Sequence, residues 1–253
     1  MNSNKPWLRG LDGLSSVSLL LVLNVSLSLS SLGAEITVAA ASDLAPASAE
    51  LSSAFERQAG HKVNWINGSS GLFARQIEAG APFDVFLSAD EKIVEDLANR
   101  QKVLAGSAKT YARGRLALWS KRGNVALSEL ESPAVRFIAI ANPAHAPYGR
   151  AARDFLERRG LWTRLQPKLV YGENVLQTFQ YAASGNADLC LVAWSQVRDK
   201  GGLAIDPALH LPLRQTGAIP SRAPHPAEAR QFLAFLASPA GQAILARFGF
   251  LAP

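Results

Sequence analysis

From Glu35 onward, apolar and polar positions switch between two periods. Short apolar runs at 36–41, 62–66 and 84–87 read as strands, and the stretches 44–58, 72–79 and 90–101 between them carry apolar residues at helical spacing. A second series follows, with strands at 116–119, 137–141, 168–171 and 188–192 and helices at 149–159 and 174–184. Residues 201–226, rich in Pro, Arg and Gly, lack either period and read as a return crossing, after which 227–236 and 240–248 form two amphipathic helices. Asp43 is an N-cap candidate for the first helix, with Pro46 in its first turn, while Gly60 and Gly80 close the first two helices. Strands alternating with helices at this spacing predict an α/β protein, its sheets mainly parallel and flanked by helices.

Composition narrows the class. An apolar share of 48% over 253 residues supports a sizeable core, and at ~150 residues per domain the two series suggest two lobes. The net charge of +6 is scattered, with no basic block or aromatic stripe, so a nucleic-acid partner is not expected. A mildly positive surface does favour anionic ligands. Cys190 is the only cysteine and sits in the apolar run 187–194, which reads as a small buried hydrophobe. His61, His145, His210 and His225 are too far apart for a local zinc pair.

Residues 1–34 differ in kind. Lys5 and Arg9 precede a serine-rich apolar run at 14–32, then Gly33 and Ala34, the pattern of a cleavable secretory signal peptide. Ser18, Asn24, Ser26, Ser28 and Ser30 interrupt that run too often for a membrane span, and no cysteine near the cut offers a lipid anchor.

The chemistry lies where strands give way to helices. Parallel sheets bind ligands beyond the carboxyl ends of their strands, and those ends bring up Ser42, Ser70, Tyr148 and Val175, two in each lobe. Helix N-termini carry unpaired amides and the positive end of the helix dipole, so four such ends converging from two lobes would hold an oxyanion without a charged side chain.

Several stretches carry a resemblance: Ala39-Ala40-Ala41-Ser42, Gly68-Ser69-Ser70, the run from Phe73 to Pro82 (FARQIEAGAP), and Asp84 to Asp90 (DVFLSAD). With Asn142-Pro143, Pro147-Tyr148-Gly149, Glu173-Asn174-Val175 and Arg247-Phe248-Gly249-Phe250, they make the chain resemble the periplasmic molybdate-binding proteins of ABC transporters. That resemblance implies a two-lobed type II periplasmic-binding-protein fold with the ligand cleft between lobes, lobe I being 35–114 plus 211–253 and lobe II 115–210. It implies a molybdate or tungstate ligand, no catalytic activity, no cofactor, a periplasmic monomer, and a partner permease with a separate ATPase subunit. Its ligand contacts fall on Ser42, Asp43, Ser70, Tyr148 and Val175. A tyrosine hydroxyl that serves the family falls on Ala193, and the phenol of Tyr148 is expected to replace it.

Rival readings remain open at this level. A donor-only pocket suits molybdate, whose four oxygens all accept at neutral pH, whereas phosphate keeps a proton whose unmet bond costs about 1–3 kcal/mol. Sulfate would have to be rejected on size. Asp43 reads as a helix cap turned back to backbone amides, but its carboxylate could also intrude on the anion or accept a phosphate proton. A secreted serine hydrolase is the alternative from another class, although the chain has no Gly-x-Ser-x-Gly elbow and no histidine beside Ser42 or Ser70 in sequence. The sensing half of a transcription regulator would need a DNA-binding helix-turn-helix, and the N-terminus reads as a signal peptide instead.

Overall fold

A computed structural model describes residues 33–253, so the signal-peptide reading of 1–34 falls almost wholly outside the described residues. The first lobe opens with β1 (Glu35–Ala41), α1 (Ser48–Ala59), β2 (Lys62–Gly68), α2 (Ser70–Glu78), β3 (Val85–Ser88), α3 (Glu91–Asn99) and β4 (Lys109–Arg113). The chain then enters the second lobe with β5 (Leu116–Trp119), β6 (Ile138–Ala141), α4 (Pro147–Arg158), α5 (Trp162–Leu165), β7 (Leu169–Gly172), α6 (Val175–Ser184), β8 (Leu189–Ala193), α7 (Trp194–Val197) and β9 (Leu203–Ala204). It returns as β10 (Arg214–Ala218), α8 (Pro226–Ala237) and α9 (Pro239–Arg247).

The two sheets have matching designs, β2-β1-β3-β10-β4 and β7-β6-β8-β5-β9. In each, the first three strands are parallel, as in the pairs Ile36↔Val63 and Ile138↔Leu169, and the fourth is antiparallel. That fourth strand is the one delivered by a lobe crossing: β5 after the first passage, β10 after the second. Continuous apolar strands such as β3 and β6 are buried at every residue because helices cover both faces. Edge strand β2 alternates exposed with half-buried residues.

Some expected elements move. The first helix begins at Ser48 rather than near residue 44, because Ser42–Leu44 forms a tight 3₁₀ turn first. Pro46 has no amide to donate; the Ser42 carbonyl accepts from the Ala45 amide (3.3 Å) and Gln196 Nε2 (3.4 Å), and that of Asp43 from Ser195 Oγ (2.7 Å). Within 201–226, read as a crossing, β10 takes a central place in the first sheet. Helices α2, α4 and α6 begin at Ser70, Pro147 and Val175, at the C-terminal ends of their preceding strands.

Candidate functional site

A small, tight cavity lies where those strand ends meet, and Ser42, Asp43, Ser70, Tyr148 and Val175 all line it. Sequence-predicted residues from separate parts of the chain are thus brought together. No lysine, arginine or histidine lines it.

Each helix start contributes differently. Ser70, the first residue of α2, is fully buried, and its Oγ accepts from the Ala89 amide (3.1 Å), which leaves the hydroxyl hydrogen available. On α6, Asn174 caps the Gln177 amide (3.0 Å) and the Leu176 amide bonds Ser42 Oγ (3.3 Å). Among the described residues, the amides of Ser70, Tyr148 and Val175 find no acceptor, as first-turn amides cannot within their own helix. Pro147 at the head of α4 has no amide to offer, so the donors there start at Tyr148.

Two expectations about side chains are corrected. Asp43 does not cap a helix: Ala47 precedes α1 without any side-chain cap, and the wholly buried Asp43 Oδ2 accepts from Tyr148 OH (3.0 Å) and Gln215 Nε2 (2.7 Å). Its Oδ1 has no partner. Burial is the main cause that raises the carboxyl pKa to about 7, against the opposing hydrogen bonds, first of them that from Tyr148. The Tyr148 phenol, pushed well above its usual range by burial and by Asp43, stays protonated and donates its hydrogen bond to Asp43, so it does not replace the donor missing at Ala193. A buried carboxyl oxygen within reach is the acceptor it meets. Ala193 lies buried at the end of β8 and does not line the cavity. The Ser42 hydroxyl likewise points across the cleft, donating to Asn174 Oδ1 (3.1 Å).

Sequence reasoning missed a second layer. Ser69 Oγ donates to the His145 carbonyl (2.8 Å) and contacts its Nδ1 (3.0 Å), while the Gly71 amide donates to the same carbonyl (3.0 Å). At the rim, Arg150 pairs with Asp90 (2.6 Å). Gln215, 172 residues from Asp43, gave no local signal; Asn174 did, as an N-cap residue beside Val175. The Asp84–Asp90 stretch acts indirectly: Ala89 holds Ser70, and Asp90 caps α3 by accepting from Lys92 N (3.0 Å).

Ser69, His145 and Glu173 (3.7 Å from Nε2) superficially suggest a hydrolytic triad. The arrangement lacks its key step, because Ser69 gives its proton to a carbonyl and the imidazole Nδ1 must then donate to Ser69 rather than accept from it. Among the described residues, no group of three or more His, Cys, Asp or Glu could hold a metal ion.

Comparison with known proteins agrees with this architecture. Residues 36–251 match the family described as bacterial extracellular solute-binding protein. The molybdate-binding protein ModA of Rhodobacter capsulatus is 34% identical over 91% of this chain and 94% of its own length. ModA of Azotobacter vinelandii is 36% identical over 86% of this chain and 90% of its own. The solved structure of the Azotobacter vinelandii periplasmic molybdate-binding protein superposes with a TM-score of 0.82 at 35% identity, covering 86% of this chain and 99% of that one.

Proposed function

This chain belongs to the bacterial extracellular solute-binding protein family, with ModA proteins among its relatives, and from that membership we propose that it captures molybdate, and tungstate with it, for an ABC importer. It is a binding protein and not an enzyme. Its place is outside the cytoplasm, and cleavage after residue 33 or 34 would release it there. The lobes that close on the ligand are 35–114 with 211–253, and 115–210. The importer is a membrane permease served by a separate ATPase, and the binding protein works as a monomer.

The observation that carries the reading is the convergence of three unpartnered helix-start amides and the free Ser70 hydroxyl on one cavity without a basic side chain. Such a donor set neutralises an anion through dipoles held rigidly in place, at no cost in reorganisation. The proposed contacts are the amides of Ser42, Ser70, Tyr148 and Val175 and the Ser70 hydroxyl, with Asp43 beside them. With Asp43 protonated, the cavity has no anionic group to repel a dianion.

Titration calorimetry on the exported protein tests this. Molybdate and tungstate should bind one to one, and sulfate or phosphate far more weakly; equal affinity for sulfate would overturn the assignment.

A further inference from the structure

We infer that Gly71 is a closure residue: its lack of a side chain lets the head of α2 meet the His145 backbone across the cleft, and a larger residue there props the lobes apart. The inference rests on the two-lobed binding reading above and adds a residue that does not line the ligand cavity.

Local structure does not ask for glycine at this position. Gly71 is the second residue of α2 and is absent from the glycines with positive φ. In a helix, alanine is better than glycine by about 1 kcal/mol, so α2 alone would favour Ala. The demand comes from the other lobe. A Cβ at position 71 would lie 2.5 Å from the His145 carbonyl oxygen, 3.0 Å from its Cα and 3.1 Å from its carbonyl carbon. All three are backbone atoms, so no rotamer change relieves the contact. The segment carrying them is braced, with the Ala146 amide on Asn142 O (2.9 Å) and the Ala144 amide on Asn142 Oδ1 (3.0 Å). The neighbouring cleft glycines differ: a Cβ on Gly68 would strike Phe73, and one on Gly149 would strike Ala141, each within its own lobe.

Closeness here also does something. The His145 carbonyl accepts from both the Gly71 amide and Ser69 Oγ, so one acceptor of lobe II clasps two donors of lobe I beside the ligand cavity. A methyl group at 71 would break that clasp, and the cheapest relief is rotation of whole lobes. Ligand contacts come from both lobes, so affinity falls by the fraction of molecules able to close.

The test is Gly71→Ala, read by calorimetry with molybdate, by unliganded melting temperature, and by small-angle scattering with and without molybdate. The expected result is an unliganded melting temperature equal to or above wild type, molybdate affinity weakened at least about tenfold, and a smaller ligand-induced compaction. Molybdate affinity within about twofold of wild type, or unchanged compaction, would overturn the inference. A clearly lower unliganded melting temperature would overturn it too, since the glycine would then serve the helix. Ser69→Ala, which removes one clasp donor and adds no bulk, should weaken binding less than Gly71→Ala; the reverse order would contradict the steric argument. If wild type itself fails to bind molybdate, the functional reading falls instead, which the same titration distinguishes.

Discussion

Asp43 holds a carboxyl group where water does not reach it, and its protonation follows from that. In an unfolded chain it would ionise near pH 4; in the fold it does so at about 7. Below about pH 4 both states hold the proton and this stabilising contribution is fully present. Between the two values the unfolded chain releases the proton while the folded one keeps it, so stability falls as pH rises and the contribution is gone above about 7. The gap between those two ionisation points is equivalent to about 4 kcal/mol as an upper bound. Asp43→Asn keeps an oxygen for Tyr148 and Gln215 and puts a neutral amide where Oδ1 lacks a partner. Denaturant melts at pH 5 and pH 8 should show wild type losing more stability than Asp43→Asn across that interval. Equal slopes for the two would rule out a raised Asp43 pKa. At pH 8 the ionised carboxylate should also oppose a dianion, so Asp43→Asn should bind molybdate at least as tightly as wild type there. The strand-to-serine breaks made Ser42 and Ser70 legible in the sequence, whereas the environment of Asp43 depends on Tyr148 and Gln215, more than a hundred residues away.

At the level of elements, the site is a set of helix beginnings, and one can be tested almost in isolation. Val175 is the first residue of α6, where a helix tolerates proline because the amide there has no intrahelical partner. Asn174 before it is extended, at φ −150° and ψ 173°, in the broad region that a following proline favours. Val175→Pro therefore deletes the proposed ligand amide while the Asn174 cap on Gln177 remains, and it exchanges one buried apolar side chain for another. A hydrogen bond to a charged group contributes about 1.5–3 kcal/mol, so molybdate affinity should fall roughly 10- to 150-fold with a small change in melting temperature. Unchanged affinity would remove Val175 from the contact set. The starts of α2 and α6 were readable to within a residue or two, whereas the cap and proline signals at Asp43 and Pro46 marked a 3₁₀ turn ahead of α1 instead. Strands β4 and β10 were not, since Lys109–Arg113 and Arg214–Ala218 carry charged, threonine and glycine residues and become strands by pairing with each other and with β3.

In the whole molecule, two passages of chain join the lobes, and they are tied together where the Gly114 amide donates to Leu213 O (2.8 Å). A hinge this narrow leaves closure to contacts across the cleft, among them Ser195 on the Asp43 carbonyl, Ser42 with Asn174, and Arg150 with Asp90. The alternation of strands and helices revealed two series, but not that each sheet takes its fourth strand directly after a crossing, because order within a sheet is decided by long-range pairing. Since the proposed ligand contacts come from both lobes, an oxyanion that bridges the cleft couples their unfolding. Ligand at a thousand times its Kd adds about 4 kcal/mol to the folded state. For a chain of this length that corresponds to a rise of roughly 8–16 °C in melting temperature. Calorimetric scans with molybdate should accordingly show one sharper transition whose midpoint climbs with ligand concentration, while sulfate at the same concentration leaves it nearly still. A molybdate-induced shift confined to part of the unfolding profile would mean that the ligand is held by one lobe alone, and the two-walled site would have to be abandoned.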